Sequence, residues 1–224
     1  MTKLILPLLL ILCVPLMGAD KKPLPKDFKS LKALAEKGDA EAQNNLGAMY
    51  AIGQGVPKDF KEAMKWWRKA ADQRHANAQN NLGVMYAKGE SVEQDFKEAF
   101  KWYRKAAEQG HALAQESLGV MYIKSQGVEQ DFKEAVKWSQ KAADQGLAPA
   151  QSNLGVMYYE GRGVAQDNQT AYAWLNIAAS NGEQIAKKIG LPLLAKKMTP
   201  AQITKAQELA KEMVKKNPKL LNKK

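Results

Sequence analysis

Four near-copies of one 36-residue unit follow one another in this 224-residue chain, and that spacing limits what the chain can fold into. Leu46-Gly47 recurs at Leu82-Gly83, Leu118-Gly119 and Leu154-Gly155, and Met49-Tyr50 at Met85-Tyr86, Met121-Tyr122 and Met157-Tyr158. Ala42-Gln43 returns as Ala78-Gln79, Ala114-Gln115 and Ala150-Gln151. Later in each unit come Asp59, Ala63, Trp66 and Ala70-Ala71, with counterparts ending at Asp167, Ala171, Trp174 and Ala178-Ala179. A period of roughly 20–50 residues marks a repeat architecture, in which no unit buries its apolar face alone and neighbours must stack.

Each unit reads as two helices. Ala42, Leu46, Met49 and Tyr50 fall on one face of a 3.6-residue period. That helix runs out at Gly53-Gln54-Gly55, where glycine permits a tight left-handed connection. Asp59 is placed to cap the second helix, with Glu62 completing a capping box; Asp95/Glu98 and Asp131/Glu134 repeat it, and Thr170 breaks it in the fourth unit. The second helix presents Ala63, Trp66, Ala70 and Ala71 and stops at Gly110, Gly146 or Gly182, with Gly38 in register upstream. Arg74 interrupts that series, and a left-handed Arg costs about 1 kcal/mol. Gly47 and its equivalents sit mid-helix at a cost of about 1 kcal/mol against Ala, which predicts close approach to a bulky neighbour; the Trp66-type rings are the candidates. The predicted fold is all-α, an α/α solenoid (superhelix) of antiparallel helix pairs with units 39–74, 75–110, 111–146 and 147–182.

The recurring Ala42-Gln43, Leu46-Gly47, Met49-Tyr50, Gly53-x-Gly55-Val56, Asp59, Ala63, Trp66 and Ala70-Ala71 resemble the Sel-1-like repeat family, relatives of tetratricopeptide repeats with a longer loop inside the unit. The resemblance covers residues 39–182. Local departures are Arg74, Ser91 and Ser125 at glycine positions, and Asn168 where Phe60, Phe96 and Phe132 stand elsewhere. It implies a non-catalytic scaffold or adaptor for protein partners.

Both ends read as caps. Residues 20–38 are predicted to hold an N-terminal capping helix, with 27–37 in register with a degenerate second helix. Residues 183–217 are predicted to hold C-terminal capping helices. Residues 183–197 resemble a decayed first helix, and Thr199-Pro200 with Gln202 then starts a closing helix striped by Ile203, Ala206, Leu209, Ala210 and Met213. Asn217-Pro218 stops it, leaving residues 218–224 as a basic disordered tail. At the other end Lys3 precedes an apolar run from Leu4 to Leu16, short for a bilayer span but suited to a signal peptide over residues 1–19, cleaved after Ala19. Leu12 stands where a lipoprotein wants Gly or Ala, and Cys13 lies inside the run, against lipidation. The expected product is exported, periplasmic or secreted, and free of cysteine.

A composition 45% hydrophobic and 25% charged excludes collagen-like and disordered classes, and two His with one Cys leave little for a metal site. The net charge of +11 is unevenly placed: residues 39–182 hold 16 Lys+Arg against 17 Asp+Glu, whereas residues 196–224 hold 9 Lys against 2 Glu. A basic end on a nearly neutral body suits an acidic protein or peptide partner. Nucleic acid finds no support beyond charge, the membrane enters only through the cleaved segment, and a monomer is expected. Cysteine-rich secreted members of the resembled family imply an alternative, a β-lactamase-like hydrolase or penicillin binder. No Ser is followed three residues later by Lys, and Lys-Thr-Gly, Gly-x-Ser-x-Gly, His-Glu-x-x-His and a phosphate loop are all absent. No catalytic residue, metal ligand or cofactor is therefore assigned. A peptidoglycan- or envelope-associated role is the other alternative. His75 and His111 occupy one repeat position, shared with Asp39 and Leu147, and read as helix starts.

In a helical solenoid the first helices line the concave surface, and positions that differ between units mark its exposed side. The candidate partner-binding residues are Glu41, Asn44, Ala48 and Ile52; Asn77, Asn80, Val84 and Lys88; Leu113, Glu116, Val120, Ile123 and Lys124; and Ser152, Val156, Tyr159 and Glu160. Circular dichroism of the folded chain is expected to show helix alone; a substantial sheet signal would overturn the repeat reading.

Overall fold

The computed structural model describes residues 27–222, which form helices and connections and include no strand. Residues 1–26, with the predicted signal segment, and residues 223–224 lie outside the described residues. Helix α1 (Phe28–Glu36) precedes four antiparallel pairs: α2 (Ala40–Ile52) with α3 (Phe60–Asp72), α4 (Ala76–Lys88) with α5 (Phe96–Glu108), α6 (Ala112–Lys124) with α7 (Phe132–Ala143), and α8 (Ala148–Glu160) with α9 (Asn168–Ser180). Each second helix packs on its own first helix, and α3, α5 and α7 pack also on the next unit's first helix, which is the predicted solenoid.

Within each pair the helices touch at the mid-helix glycine. A Cβ on Gly47 would stand 2.7 Å from the Trp67 ring, and one on Gly83 would stand 2.6 Å from the Tyr103 ring. The equivalents at Gly119 and Gly155 would meet Ser139 and Leu175. The neighbour is thus the residue after the Trp66-type position, not the Trp66-type ring expected from its recurrence. Trp66 turns toward the preceding unit instead, joining Leu31, Ala35, Leu46 and Met49, while Trp102 joins Ala71, Leu82 and Met85. It is the seam between units that needs the same large ring every time.

A ladder of buried glutamines ties the units together. Gln43 Nε2 donates to Ala35 O (3.0 Å), and Gln79, Gln115 and Gln151 donate likewise to Ala71 O, Ala107 O and Ala143 O of the preceding second helix. Each glutamine then accepts at Oε1 from the cap of its own second helix: Gln73 (2.8 Å), Gln109 (2.6 Å), Gln145 (2.8 Å) and Asn181 (2.8 Å).

The caps differ from the sequence expectation in one respect. Asp59 accepts from Lys61 N and Glu62 N, but its own N–H donates to Tyr50 O at 2.9 Å. With that donor already satisfied, Glu62 has no capping box to close and pairs with Lys65; Glu98 and Glu134 do the same with Lys101 and Lys137. The first helices are capped by Asp39, His75 and His111, whose side chains accept from Ala42 N, Ala78 N and Ala114 N, while Leu147 offers no such cap. Arg74, Ser91 and Ser125 adopt the left-handed backbone at φ of 64°, 65° and 55°.

The C-terminal end departs furthest from expectation. The decayed first helix is a π-helical turn (Ala186–Gly190) running into α10 (Leu191–Ala195), both against α9. Helix α11 (Pro200–Lys216) starts with the predicted Thr199/Gln202 capping box and folds back onto α9. It can do so because Ala173 and Ile177 stand where earlier units carry Lys65 and Lys69, Lys101 and Lys105, or Lys137 and Lys141. Residues 218–222 are not a disordered tail. A 3-10 turn over Pro218–Leu220 lays Leu220, 2% exposed, against Ala142, Ala143 and Ile177. Leu220 O accepts from Gln151 Nε2 (2.8 Å) and Asn181 Nδ2 (2.6 Å), and Asn217 Nδ2 donates to Asp144 O (3.0 Å). The lysine-rich composition suggested a solvated end, but one leucine and a free carbonyl suffice to anchor it on the last unit.

Leu118 is fully buried. Leu118→Ala is expected to cost about 2–5 kcal/mol, whereas the exposed Lys97→Ala should stay within about 0.5 kcal/mol. Urea midpoints that rank the two as equal would overturn this core.

Candidate functional site

The first helices α2, α4, α6 and α8 present the predicted partner-binding positions in three tiers. At their starts Glu41, Asn77 and Leu113 are half-buried. At their ends Ile52, Lys124 and Glu160 are exposed, Ile52 by 63%, and Lys88 is half-buried. The middle tier is largely filled by the neighbouring unit. Ala48 packs with the cluster around Leu82 and Met85, Val84 with that around Leu118 and Met121, and Ile123 with that around Leu154 and Met157. Ser152 and Val156 are half-buried, and Tyr159 packs beside Ala186 and Leu194 with its hydroxyl bonded by Lys197 Nζ.

Three candidates are corrected outright, because Asn44, Asn80 and Val120 are each only 7% exposed. Position 44 turns toward the next first helix: Asn81 Nδ2 donates to Asn44 Oδ1 at 3.3 Å, and Trp67 Nε1 donates to Asn44 O at 3.1 Å. Variation between units marked these positions as free. Burial there is set by the neighbouring helices, which variation along the series does not report.

The same register carries Glu116, the one acid in a series of Asn44, Asn80 and Ser152. Burial pushes its carboxyl up to about 7, against the pull of Lys124. His111, capping the start of the same helix, is pushed down to about 4 by burial and then by His75, so Nδ1 stays free to accept from Ala114 N.

Sequence reasoning missed the open side of the tyrosines. Met49, Met85, Met121 and Met157 are buried as expected of shared core, but the adjoining Tyr50, Tyr86, Tyr122 and Tyr158 are only half-buried. Tyr86 accepts at its hydroxyl from Arg68, and Phe28 and Phe100 stack edge-on against Tyr50 and Tyr122. All four pack against the core clusters, so their recurrence did mark shared packing; what it did not reveal is that each ring stays half open. On the second helices Lys69, Lys105 and Lys141 lie over Trp66, Trp102 and Trp138 at 4.1–4.5 Å, closing those rings off. Among the described residues no His, Cys, Asp and Glu side chains gather where they could hold a metal ion, and no helix is long and apolar enough to cross a membrane.

The sequence pattern of the Sel1 repeat matches residues 40–75, 76–111, 112–147 and 148–183. The chain is similar to a Sel1 repeat protein from Oxalobacter formigenes, with 37% identity and a TM-score of 0.70 over 83% of this chain and 78% of that one. It is also similar to c5321, a protective antigen present in uropathogenic Escherichia coli strains displaying an SLR fold, with 30% identity and a TM-score of 0.58 over 86% of this chain. The chain spans about half of that antigen, 49% of its length. No curated protein matches the chain.

Glu116 and His111 give the site opposed pH responses. A native His111 lowered to about 4 stays neutral while the unfolded chain protonates, so its contribution is complete above about 6.5 and is lost as pH falls toward 4. A native Glu116 raised to about 7 holds its proton longer than the unfolded chain, so its contribution is complete below about 4.5 and is lost as pH rises toward 7. Each shift corresponds to about 3 kcal/mol, and the two cancel between about pH 4.5 and 6.5. Glu116→Gln should therefore leave stability rising with pH across that window, and His111→Asn should leave it falling. Urea midpoints at pH 4.5, 5.5 and 6.5 test both; parallel slopes for the two variants would refute the assignment.

Proposed function

The chain belongs to the Sel1 repeat family, and on that premise we propose that it is an exported, monomeric, non-catalytic scaffold holding a protein or peptide partner on its first-helix face. The family is generally non-catalytic, and its helical scaffold is of the kind that binds protein partners. One observation carries the finer reading: the units share the leucines, methionines, tryptophans and most alanines of their core, while the ends of their first helices read Ile52, Lys88, Lys124 and Glu160 in succession. A rim that changes from unit to unit gives an extended partner one register, which four identical rims would not. Export rests on the apolar run from Leu4 to Leu16 and the small residues Gly18-Ala19 that follow it.

The basic residues outside the repeats favour an acidic partner. Lys205, Lys211, Lys215 and Lys216 are exposed on α11, so long-range charge speeds encounter and the rim contacts set the residence time. Affinity capture with the mature chain, followed by mass spectrometry, identifies the partner. Ile52→Asp, Lys88→Glu and Lys124→Glu combined should weaken its binding at least about tenfold, equivalent to about 1.4 kcal/mol, with helicity unchanged. Wild-type affinity in that folded variant would sink the proposal.

A further inference from the structure

The strap of residues 217–222 lies in a groove between the end of α7, the start of α8 and the end of α9, and that groove is unlike its counterparts. Ile177 replaces Lys69, Lys105 and Lys141; Asn181 replaces Gln73, Gln109 and Gln145; Ser180 replaces Asp72, Glu108 and Asp144. The shorter Asn181 donates to Leu220 O, where Gln73 and Gln145 donate to Gly38 O and Gly110 O of their own stack. Apart from the Asn217–Asp144 bond, the strap's polar contacts to the groove are made by its main chain. Leu220 O accepts from Gln151 and Asn181, and Asn222 N donates to Asn181 Oδ1 at 2.9 Å. Another segment that takes this turn offers the same carbonyl and N–H, as in other grooves that read peptide main chain.

The strap itself fits only in part. Leu220 is its one buried side chain, while Pro218 and Lys219 are exposed. Beside it, between α9 and α11, a cleft of about 360 Å³ lies open, lined by Ile177, Ser180, Ala210, Val214 and Leu221. Leu221 reaches this cleft but only half buries itself there. An aromatic ring in its place gains apolar contact that the strap does not make.

We propose that this groove is a receptor for a partner segment that takes the same turn and bears a leucine followed by an aromatic residue, and that residues 217–222 are its intramolecular occupant, displaced when such a segment binds. The strap holds the groove by tethering, which gives it a high effective concentration. The partner wins by filling the cleft. Close main-chain approach also requires Gly146, since a Cβ there would stand 2.4 Å from Lys219 O. The first unit carries Arg74 at that register with the same left-handed backbone, so an arginine there is compatible with the fold. This surface is distinct from the first-helix rim, and either binding activity can be lost without the other.

The probe is a fluorescently labelled peptide, Asn-Pro-Lys-Leu-Trp-Asn, blocked at both ends and titrated against the full chain by anisotropy. Leu220→Asp, which releases the strap, is expected to tighten its Kd at least tenfold over wild type. Adding Gly146→Arg to that variant should weaken it at least tenfold, and a peptide with Asp for Leu should not bind. In the unaltered chain, excess peptide should speed hydrogen exchange at least tenfold at the Leu220 and Leu221 amides, which donate to Asn217 O and Pro218 O. Unchanged exchange, no binding to folded Leu220→Asp, or equal binding after Gly146→Arg would each overturn the proposal. Should Leu220→Asp fail to fold, the exchange measurement on the unaltered chain decides alone.

Discussion

A buried glutamine amide holds this stack in register. The last carbonyls of an α-helix have no partner within the helix, and burying them unpaired costs about 1–3 kcal/mol each. Where a helix of the stack ends against the next unit, its Ala35-, Ala71-, Ala107- or Ala143-type carbonyl accepts from the N–H of Gly38, Arg74, Gly110 or Gly146 and keeps its second lone pair for a donor from that unit. Gln43, Gln79, Gln115 and Gln151 supply it, at 0–4% exposure. Because each amide also accepts from the cap of its own second helix, one side chain fixes three helices at once. Apolar packing is tolerant of small slides; a donor–acceptor chain is not.

The same requirement explains the ends. At the N-terminus α1 supplies a carbonyl to Gln43 and the Gly38 carbonyl to Gln73, so it completes the ladder as well as covering Leu46 and Met49. At the C-terminus no fifth unit follows α9. Three elements share its place: the π-helical turn with α10, helix α11, and the strap, whose Leu220 carbonyl engages the last glutamine–asparagine pair. An apolar outer face on α9, at Ala173 and Ile177, is stable only because α11 and Leu220 cover it.

Recurrence was a good guide to what is shared and a poor one to what is matched. Leu46, Met49, Trp66 and their counterparts were legible as core, since each meets the same surroundings in every unit. Gly47 was legible as a contact point, but its partner was not: position 67 reads Trp67, Tyr103, Ser139 and Leu175, and nothing in one unit reveals that these four fill the same gap. Asn44, Asn80 and Val120 misled because variation between units does not report burial, and Asn44 is matched across the seam by Asn81. The Glu62-type capping box failed on a competitor in the preceding helix, the Tyr50 carbonyl, which takes the donor first.

By itself the sequence determined the helix pairs, their limits, the four-unit stack and the closing helix with its capping box, because each follows from local spacing and from groups within a few residues of one another. The tertiary structure alone decided which side of each first helix stays open, that Glu116 and His111 titrate far from their ordinary ranges, and that the lysine-rich end docks. Those outcomes depend on desolvation and on partners 30–73 residues away in the chain, as from Asn181 to Gln151 or from Asn217 to Asp144. Only the folded stack brings such groups together.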